Sequence, residues 1–185
     1  MPRVPDETRV SHHLLKNRIA RVPDFPKKGV LFYDLTPIFS DAMLFPDLIL
    51  KMQKLADERD FQFDKIAAIE ARGFILGAAL ALVFEVGFVA IRKYGKLPRI
   101  THKMQHDLEY GQQCHEVHQS DINPGERILI VDDILATGGT AHAAGELIRS
   151  CQAHVAGYLF AAKITGLQKE RIGVDESVAC LMDLP

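Results

Sequence analysis

Cysteine is scarce in this chain. Cys114, Cys151 and Cys180 are the three cysteines among 185 residues. Their number is odd and their spacing is wide, which argues against a disulfide framework and against a cysteine-based zinc site. Such sparse cysteine usage suits a reducing compartment, so we expect the protein to be cytoplasmic.

The chain also has no large excess of positive or negative charge. The formal net charge is −2 at pH 7, with 25% charged and 48% hydrophobic residues. This ordinary globular balance gives no indication of a nucleic-acid-binding surface, so we expect no nucleic-acid partner. Any basic site for an anionic ligand must therefore be local.

The chain lacks an uninterrupted apolar run long enough to predict a membrane span. Residues 1–10 are polar and contain two prolines, unlike a secretory signal. Residues 73–91 are apolar apart from Glu85, but Gly77 and Gly87 interrupt them, and a charge deep in lipid is costly. A buried helix, a turn and a buried strand explain this segment better, and we expect no membrane partner.

Internal repeats, low-complexity tracts and interdomain linkers are not evident, and the length suits one domain. From residue 65 onward, short apolar runs alternate with helix-compatible segments. We predict strands at 65–69, 88–91, 127–131 and 154–163, helices at 73–84 and 141–149, and an edge strand at 178–182. We also predict helices from Ser11 to Ile19 and from about residue 40 to 59, a long polar loop at 94–111, and a short strand at 115–119. The alternation predicts an α/β fold with a mostly parallel sheet flanked by helices.

The chain does contain a distinctive stretch at residues 128–140, with the sequence ILIVDDILATGGT. Four apolar residues lead into Asp132 and Asp133, and a loop of small residues runs from Ala136 to Thr140. A buried strand followed by such a loop and a helix can surround a phosphate with backbone N–H groups and a helix N-terminus. The acids cannot bind phosphate directly, so hydroxyl groups or a metal-bound ligand are their natural partners. The alternative is a plain strand–turn–helix corner whose acids cap the helix.

Basic side chains follow two other predicted strands. Arg72 follows the strand at 65–69, and its guanidinium suits the oxygens of a phosphate or pyrophosphate, although a pair with Glu70 is also compatible. Four cations follow the strand at 88–91, namely Arg92, Lys93, Lys96 and Arg99. In a chain of net charge −2, this concentration indicates either a polyanion site, such as one for pyrophosphate, or a solvated basic loop.

The polar segment at residues 94–111 ends with Glu109, a candidate acid or base, and Tyr110, which could shield a site; an ordinary turn is the alternative. His102, His106, His115 and His118 lie in or beside this segment. His115 and His118 lack the His-Glu-x-x-His zinc spacing and would face opposite sides of a strand. We therefore expect solvated histidines here rather than a metal site.

Together these motifs resemble those of the adenine phosphoribosyltransferases, a family of type I phosphoribosyltransferases. The resemblance rests on four segments in the family's order: EARGF at 70–74, RKYGKLP at 92–98, LEYG at 108–111 and VDDILATGGT at 131–140. Residues 23–32 are similar to the family's N-terminal segment that covers the base. The resemblance implies the type I phosphoribosyltransferase fold in one domain over residues 1–185, with an N-terminal hood at about 1–35 and a mobile catalytic loop at about 94–113.

The resemblance also implies a role for each matching position. The 5′-phosphate of 5-phosphoribosyl 1-pyrophosphate (PRPP) would be held by Ala136, Thr137, Gly138, Gly139 and Thr140. Its ribose hydroxyls would meet Asp132 and Asp133, directly or through Mg²⁺ and water. Pyrophosphate would be bound by Arg72, Arg92, Lys93 and Lys96, with Arg92 reaching a neighbouring subunit of a homodimer. Adenine would lie between Phe32 and Ile164, with its edge read by the Leu31 backbone. Glu109 would be the catalytic residue, and Tyr110 would take part in loop closure.

Three positions bear on the choice of base. Ala136 stands where the related 6-oxopurine enzymes place an Asp near the purine N7, and an alanine cannot accept that proton. The resemblance therefore favours adenine. Tyr33 stands where many family members carry Arg or Lys, and Lys163 stands where some have an acid. Because of these two departures, the resemblance does not define the outer rim of the base pocket.

The sequence thus predicts an enzyme of purine salvage that converts adenine and PRPP to AMP and pyrophosphate with Mg²⁺. A phosphoribosyltransferase for another base, such as hypoxanthine, xanthine or orotate, is one alternative. A non-catalytic PRPP- or purine-sensing module is the other. Such sensors usually carry a DNA-binding segment, and no basic helix-turn-helix is evident here.

Overall fold

The computed structural model describes residues 11–108, 111–168, 172 and 177–185, with backbone alone for 105–108 and 111–113. The chain divides into two compact units, one ending at Lys51 and one running from Met52 to Pro185.

Within the described residues, the first unit starts with a helix that is followed by a hairpin. Helix α1 (His12–Arg18) starts where predicted, because the Ser11 hydroxyl accepts a hydrogen bond from the Leu14 N–H at 3.4 Å. Strands β1 (Ala20–Pro23) and β2 (Leu31–Asp34) then pair in antiparallel fashion.

Two further helices begin in this part of the chain. Helix α2 (Thr36–Phe39) follows β2 directly. Helix α3 (Leu44–Glu58) confirms the predicted long helix but begins a few residues later, so Pro46 lies in its first turn, where its missing N–H is tolerated. Asp41 Oδ1 accepts from the N–H groups of Met43 and Leu44 at 2.9 and 3.1 Å, and these bonds hold the pKa of Asp41 below its usual value.

The second unit is built on a sheet that has seven strands within the described residues. These are β3 (Lys65–Ile69), β4 (Gly87–Lys93), β5 (Thr101–Leu108), β6 (Gly111–His118), β7 (Arg127–Leu135), β8 (His154–Ile164) and β9 (Val178–Leu184). Their spatial order is β5-β6-β4-β3-β7-β8-β9. All neighbouring pairs from β4 to β9 in that order are parallel, whereas β6 is antiparallel to both β4 and β5. The predicted α/β fold with a mostly parallel sheet is confirmed.

Helices α4 (Arg72–Val83) and α5 (Gly139–Ser150) pack against this sheet. Ile66, Ala67 and Ala68 in β3 are consecutive and fully buried, as expected for a parallel strand covered on both faces. Gly77 lets α4 approach β3 closely, because a Cβ atom there would lie 2.5 Å from the Ala68 Cβ.

Residues 94–111 contain a strand that the sequence prediction missed. Thr101–Leu108 form β5, which pairs with β6 from Thr101↔His118 to Leu108↔Gly111. The predicted long loop is therefore wrong over these residues, and a shorter connection remains between β4 and β5. A polar strand at the edge of a sheet lacks the alternation of apolar residues that predicts strands, and its partner strand determines its conformation. The mobility of residues 94–113 stays a prediction.

Two histidines of β6 also differ from expectation. His115 and His118 on β6 are 2% and 8% exposed, so the expectation of solvated histidines is wrong for them. The reason is that β6 lies inside the sheet, between β4 and β5, and α5 packs against it. Among the described residues, no group of three or more His, Cys, Asp or Glu side chains could hold a metal ion. No helix in the described part of the chain has both the length and the apolar character needed to cross a membrane.

Candidate active site at the carboxyl edge of the sheet

Four parallel strands bring several predicted site residues to one edge of the sheet. Strands β4, β3, β7 and β8 are neighbours and run in the same direction, so their carboxyl ends lie side by side. Arg72 follows β3, Lys93 ends β4, Asp132 lies near the end of β7, and Ile164 ends β8. Ligands of open α/β sheets bind at this edge.

Asp132 and Asp133 lie within β7 rather than after it, because the strand continues to Leu135. The predicted strand end at residue 131 is therefore too early. Neighbouring residues of a strand face opposite sides, so the two carboxylates have different surroundings. Asp133 is 4% exposed, and its Oδ2 accepts a hydrogen bond from the Arg72 Nε. Asp132 Oδ1 accepts from the Asp133 N–H at 2.8 Å.

The environment of Asp132 disfavours its charge. Burial raises the pKa of the Asp132 carboxyl well above its ordinary value, and the neighbouring Asp133 charge adds to this increase. The Arg72 charge opposes these effects without cancelling them. A cation or the hydroxyl groups of a ligand would stabilise the ionised form.

Gly73 brings the start of α4 against this acid pair. A Cβ atom at Gly73 would lie 2.8 Å from the Asp132 Oδ1 and 3.0 Å from the Val131 carbonyl oxygen. Those distances are too short for a side chain, so glycine allows the first turn of α4 to contact β7. This close approach places Arg72, the first residue of α4, beside Asp133.

The loop of small residues between β7 and α5 has the features of a phosphate cradle. Gly138 adopts a φ of 98°, a left-handed conformation that glycine adopts without strain. In the described structure no side chain caps α5, so its first N–H groups can meet an anion. A cavity of about 80 Å³ lies at this loop, and its lining includes Asp132, Ala136, Thr137 and Thr140.

Gln168 is a contact residue of this loop that sequence reasoning missed. Its Nε2 donates to the carbonyl oxygens of Ala136 at 3.0 Å and Ile164 at 2.6 Å. The amide thus joins the loop to the end of β8. An exposed glutamine outside any motif carries no pattern from which this contact could have been predicted.

The basic segment after β4 is held by an acid that follows β3. Glu70 Oε2 accepts from the Arg92 Nε at 3.2 Å and from the Lys93 N–H at 3.1 Å. Burial raises the pKa of Glu70, but these hydrogen bonds and the Arg92 charge outweigh burial and leave the pKa below its ordinary value. Arg92 Nη1 also donates to the Lys96 carbonyl oxygen at 3.2 Å. Within this chain Arg92 therefore contacts Glu70 and Lys96, and its role toward pyrophosphate or a neighbouring subunit stays a prediction.

The other three cations of the segment fall into two groups. Lys93 and Lys96 are exposed at the carboxyl edge. Arg99 instead donates to the Ser120 hydroxyl at 2.6 Å and to Asp121 Oδ1 at 3.1 Å. Lys93 and Lys96 are thus the exposed lysines of this segment, and their role toward pyrophosphate stays a prediction.

The predicted base-binding residues belong to different parts of the chain. Leu31 and Phe32 lie on β2 of the first unit, where Leu31 is 45% exposed and Phe32 packs edge-to-face on Phe25 at 5.1 Å between ring centroids. Ile164 lies in the second unit. The adenine sandwich between Phe32 and Ile164 stays a prediction. Glu109 and Tyr110 lie outside the described residues, so the catalytic role of Glu109 and the role of Tyr110 in loop closure stay predictions.

Comparison with known proteins agrees with this arrangement. Residues 45–182 match the family model of the phosphoribosyl transferase domain. Adenine phosphoribosyltransferase of Francisella tularensis subsp. tularensis (strain WY96-3418) is 42% identical over 168 residues, which cover 91% of this chain and 96% of that protein. The chain belongs to the adenine phosphoribosyltransferase family.

Solved structures of the adenine phosphoribosyltransferase family share the fold. The structure of the Thermoanaerobacter pseudethanolicus ATCC 33223 protein has a TM-score of 0.89 and 40% identity, covering 93% of this chain and 99% of that one. The Saccharomyces cerevisiae protein, complexed with an imino-altritol bisphosphate and adenine, has a TM-score of 0.85 and 39% identity, covering 91% and 97%. The mostly parallel sheet described above is thus the type I phosphoribosyltransferase fold.

Tyr33 and Lys163, which depart from the adenine phosphoribosyltransferase pattern, each contact a residue of a neighbouring strand. Tyr33 is 3% exposed, and Arg21 on the paired strand lies over its ring, with the guanidinium carbon 6.0 Å from the ring centroid. Lys163 Nζ lies 3.3 Å from Asp183 Oδ1 on β9. The charge of Lys163 is therefore partly compensated by the neighbouring strand.

Proposed function

We propose that this member of the adenine phosphoribosyltransferase family transfers the phosphoribosyl group of PRPP to adenine in purine salvage, giving AMP and pyrophosphate. The observation that carries the proposal is the adjacency of the Asp132–Asp133 pair to an uncapped helix N-terminus, because PRPP has both ribose hydroxyls and a 5′-phosphate. Relatives named for this activity match nearly the whole chain, and the Saccharomyces cerevisiae relative was solved in complex with adenine.

In the proposed reaction the bond between C1′ and a pyrophosphate oxygen breaks, and the bond between C1′ and adenine N9 forms. The electron pair of the broken bond leaves with pyrophosphate, and the N9 proton passes to a base or to water. The ribose gains oxocarbenium character on the way. Preorganised cationic groups stabilise the departing charge, and removal of one such contact costs about 3 kcal/mol in the barrier.

For the donor substrate, we propose that residues 136–140 hold the 5′-phosphate through their backbone N–H groups and that Asp132 and Asp133 meet the ribose hydroxyls. We propose that the pyrophosphate contacts are made by Arg72, Arg92, Lys93 and Lys96. Arg72 already contacts Asp133. Its guanidinium carries five N–H donors, so the contact with Asp133 and one with pyrophosphate are compatible.

The acid pair fits Mg²⁺ in the way this ion binds phosphate substrates. Mg²⁺ is usually held by one or two carboxylates together with substrate phosphates and water, rather than by a cage of protein ligands. A carboxylate whose charge is disfavoured by burial, as at Asp132, would be stabilised by such an ion. We propose that Asp132 and Asp133 hold Mg²⁺ through PRPP and water; when bound, the ion would neutralise charge that develops on the pyrophosphate.

For the acceptor, we propose that Phe32 and Ile164 contact the two faces of adenine and that the Leu31 backbone reads its edge. Ala136 offers no side-chain acceptor for a proton at N7, which favours adenine over 6-oxopurines. Glu109 would act on a proton of the base, and Tyr110 would help to close the 94–113 segment over the site. Closure would exclude water, which competes with adenine for the ribosyl centre.

We also propose that the chain acts as one domain over residues 1–185, with the hood at about 1–35, as a homodimer in the cytoplasm. The free thiols of Cys114, Cys151 and Cys180 support a reducing compartment. Burial raises the pKa of Cys151, and it raises that of Cys180 to about 11, so these two thiols are poor nucleophiles at neutral pH.

A panel of bases with PRPP and Mg²⁺ tests the proposed function. Adenine, hypoxanthine, guanine, xanthine and orotate would each be incubated with the enzyme, and release of pyrophosphate and formation of nucleotide would be measured. We expect adenine to be preferred by about a hundredfold or more in kcat/KM. Turnover of another base in preference to adenine would contradict the adenine assignment. PRPP binding without turnover of any base would favour a sensing module instead.

A further inference from the structure

Glu116 is a buried acid that the proposed reaction does not use. It is 2% exposed and lies on β6, opposite Arg92 of β4 and Lys103 of β5. Its Oε1 accepts from the N–H groups of Lys96 and Leu97, each at 3.0 Å, and its Oε2 accepts from the Thr101 hydroxyl at 3.1 Å. Burial of a carboxylate is costly unless its oxygens are bonded, so the surroundings of Glu116 are organised around its charge.

The basic segment forms a backbone nest around this carboxylate. Gly95 has a φ of 82°, and the N–H groups of Gly95, Lys96 and Leu97 all bond to Glu116. Successive N–H groups in such a turn form an anion-binding concavity, and the anion here is a side chain of the same chain. Burial raises the pKa of Glu116, but these bonds outweigh it and hold the pKa below its ordinary value, so Glu116 is ionised at neutral pH.

The main chain of Lys96 is held on both sides. Its N–H donates to Glu116, and its carbonyl oxygen accepts from the Arg92 Nη1 at 3.2 Å. Arg92 is in turn held by Glu70, with 3.2 Å between Nε and Oε2. This chain of contacts fixes the backbone of the segment, while the side chains of Lys93 and Lys96 are exposed.

We propose that Glu116 is a positioning residue for the pyrophosphate end of the donor. It holds the backbone of residues 95–97 so that Lys93 and Lys96 lie where the leaving pyrophosphate needs positive charge. This inference rests on the proposed function, in which the basic segment binds pyrophosphate. Placement matters because a shift of about 1 Å in a positioned group can cost roughly a hundredfold in rate. His115 and His118, on either side of Glu116, lack the spacing of a zinc site. Glu116 instead bonds to the backbone of Lys96 and Leu97.

Glu116→Ala and Glu116→Gln test the inference in the full-length chain. Titration calorimetry would measure the affinities for Mg²⁺-pyrophosphate and for ribose 5-phosphate, and steady-state kinetics would give KM for PRPP and for adenine. For Glu116→Ala we expect pyrophosphate affinity to fall about tenfold and KM for PRPP to rise by about the same factor. Glu116→Gln should lose less, because its amide oxygen can still accept from Lys96 and Leu97. Ribose 5-phosphate affinity and KM for adenine should stay within about twofold, since those ligands do not use the segment.

Glu126→Gln is the matched control. Glu126 is a partly buried acid just before β7, at the opposite edge of the sheet, and it accepts from Lys65 Nζ and the Asn123 N–H, both at 2.8 Å. Burial raises the pKa of Glu126, but these bonds hold it below its ordinary value, as at Glu116. This variant should lose thermal stability to a similar extent as Glu116→Gln while its pyrophosphate affinity stays unchanged.

Each outcome separates the inference from the proposed function. Unchanged pyrophosphate affinity in the Glu116 variants, or equal losses for pyrophosphate and ribose 5-phosphate, would overturn the inference. So would an equal loss of pyrophosphate affinity in Glu126→Gln. If Glu116→Ala does not fold, Glu116→Gln gives the same comparison. A wild-type protein that binds pyrophosphate but forms no AMP would contradict the proposed function, while the binding measurements would still decide the role of Glu116.

Discussion

At the scale of single residues, two neighbouring acids of β7 have opposite surroundings. Asp133 is compensated by Arg72, whereas burial and the Asp133 charge disfavour the charge of Asp132. A folded protein that retains such a group is less stable than it could be, and functional sites commonly contain groups of this kind. The unfavourable free energy of the Asp132 charge is therefore consistent with a role of this residue in ligand binding.

Asp132→Asn should stabilise the ligand-free protein at pH 7 and abolish tight PRPP binding. Because the folded-state pKa of Asp132 is raised, wild-type stability falls as pH increases from the ordinary value of 3.8 toward the folded-state value. Asn keeps the shape without the charge, so we expect Asp132→Asn to melt at a higher temperature than the wild type at pH 7. Thermal unfolding from about pH 4 to about pH 8 would measure it, and the gap should widen with pH.

Asp121→Asn provides the control for this prediction. Asp121 pairs with Arg99 at 3.1 Å near the surface, and such pairs contribute about 0–1 kcal/mol. Its loss should lower Tm slightly or not at all, and PRPP binding should not change. If Asp132→Asn melts no higher than the wild type at neutral pH, the charge of Asp132 is not destabilising.

Glu109→Gln tests the proposed catalytic residue through kinetics. Gln cannot exchange a proton with the base, so we expect turnover to fall roughly a hundredfold or more while PRPP affinity is retained. Pyrophosphate release measures turnover, and calorimetry measures PRPP binding. Unchanged turnover would remove Glu109 from the mechanism.

At the scale of elements, the contact between α4 and β7 is what places Arg72 beside Asp133. Gly73→Ala should disturb it, because the new Cβ would lie 2.8 Å from Asp132 Oδ1 and 3.0 Å from the Val131 carbonyl oxygen. We expect a loss of about 1–3 kcal/mol in the free energy of unfolding, together with a higher KM for PRPP. Urea unfolding and steady-state kinetics would measure the two effects.

Gly87→Ala is the matched substitution at the start of β4. A Cβ atom there would lie no closer than 3.4 Å to the nearest Lys65 side-chain carbon, an ordinary contact distance. Its stability should stay within about 0.5 kcal/mol of the wild type. If both glycine variants behave alike, the close approach at Gly73 does not position Arg72.

Helices and strands were predictable wherever local chemistry determines them. Ser11 accepts the hydrogen bond that begins α1, and the apolar run at 128–131 forms part of a buried strand. Strand β5 was missed because its residues are polar and its conformation depends on pairing with β6. The end of β7 was placed too early because Asp132 and Asp133 look like loop residues, although β8 pairs alongside through Leu135.

At the scale of the whole molecule, PRPP and Mg²⁺ together should raise the melting temperature, because they bind the folded state. At a hundred times Kd the expected gain is about 2.7 kcal/mol. For a chain of this size the gain corresponds to roughly 5–10 °C. Mg²⁺ alone should have little effect, since the described residues contain no cluster of three ligands for a metal. Differential scanning fluorimetry with and without EDTA would measure these shifts. A shift with Mg²⁺ alone as large as with PRPP would contradict shared coordination by substrate.

The sequence by itself determined the order of most helices and strands and the chemical character of the site motifs. Apolar periodicity, capping residues and glycine turns act over a few neighbouring residues, so they can be read along the chain. The proposed phosphate-binding character of residues 136–140 is of this kind, because it depends on a turn and the helix that follows.

Only the tertiary structure decided which charged groups meet. Arg72 contacts Asp133 across 61 positions of sequence, and Arg92 contacts Glu70 across 22. Glu116 accepts from the Lys96 N–H across 20 positions, inside a segment that the sequence marked for its cations alone. Contacts between residues so far apart depend on strand order, on register and on the close packing that Gly73 allows. Composition and spacing contain none of these quantities, because they arise when the sheet assembles.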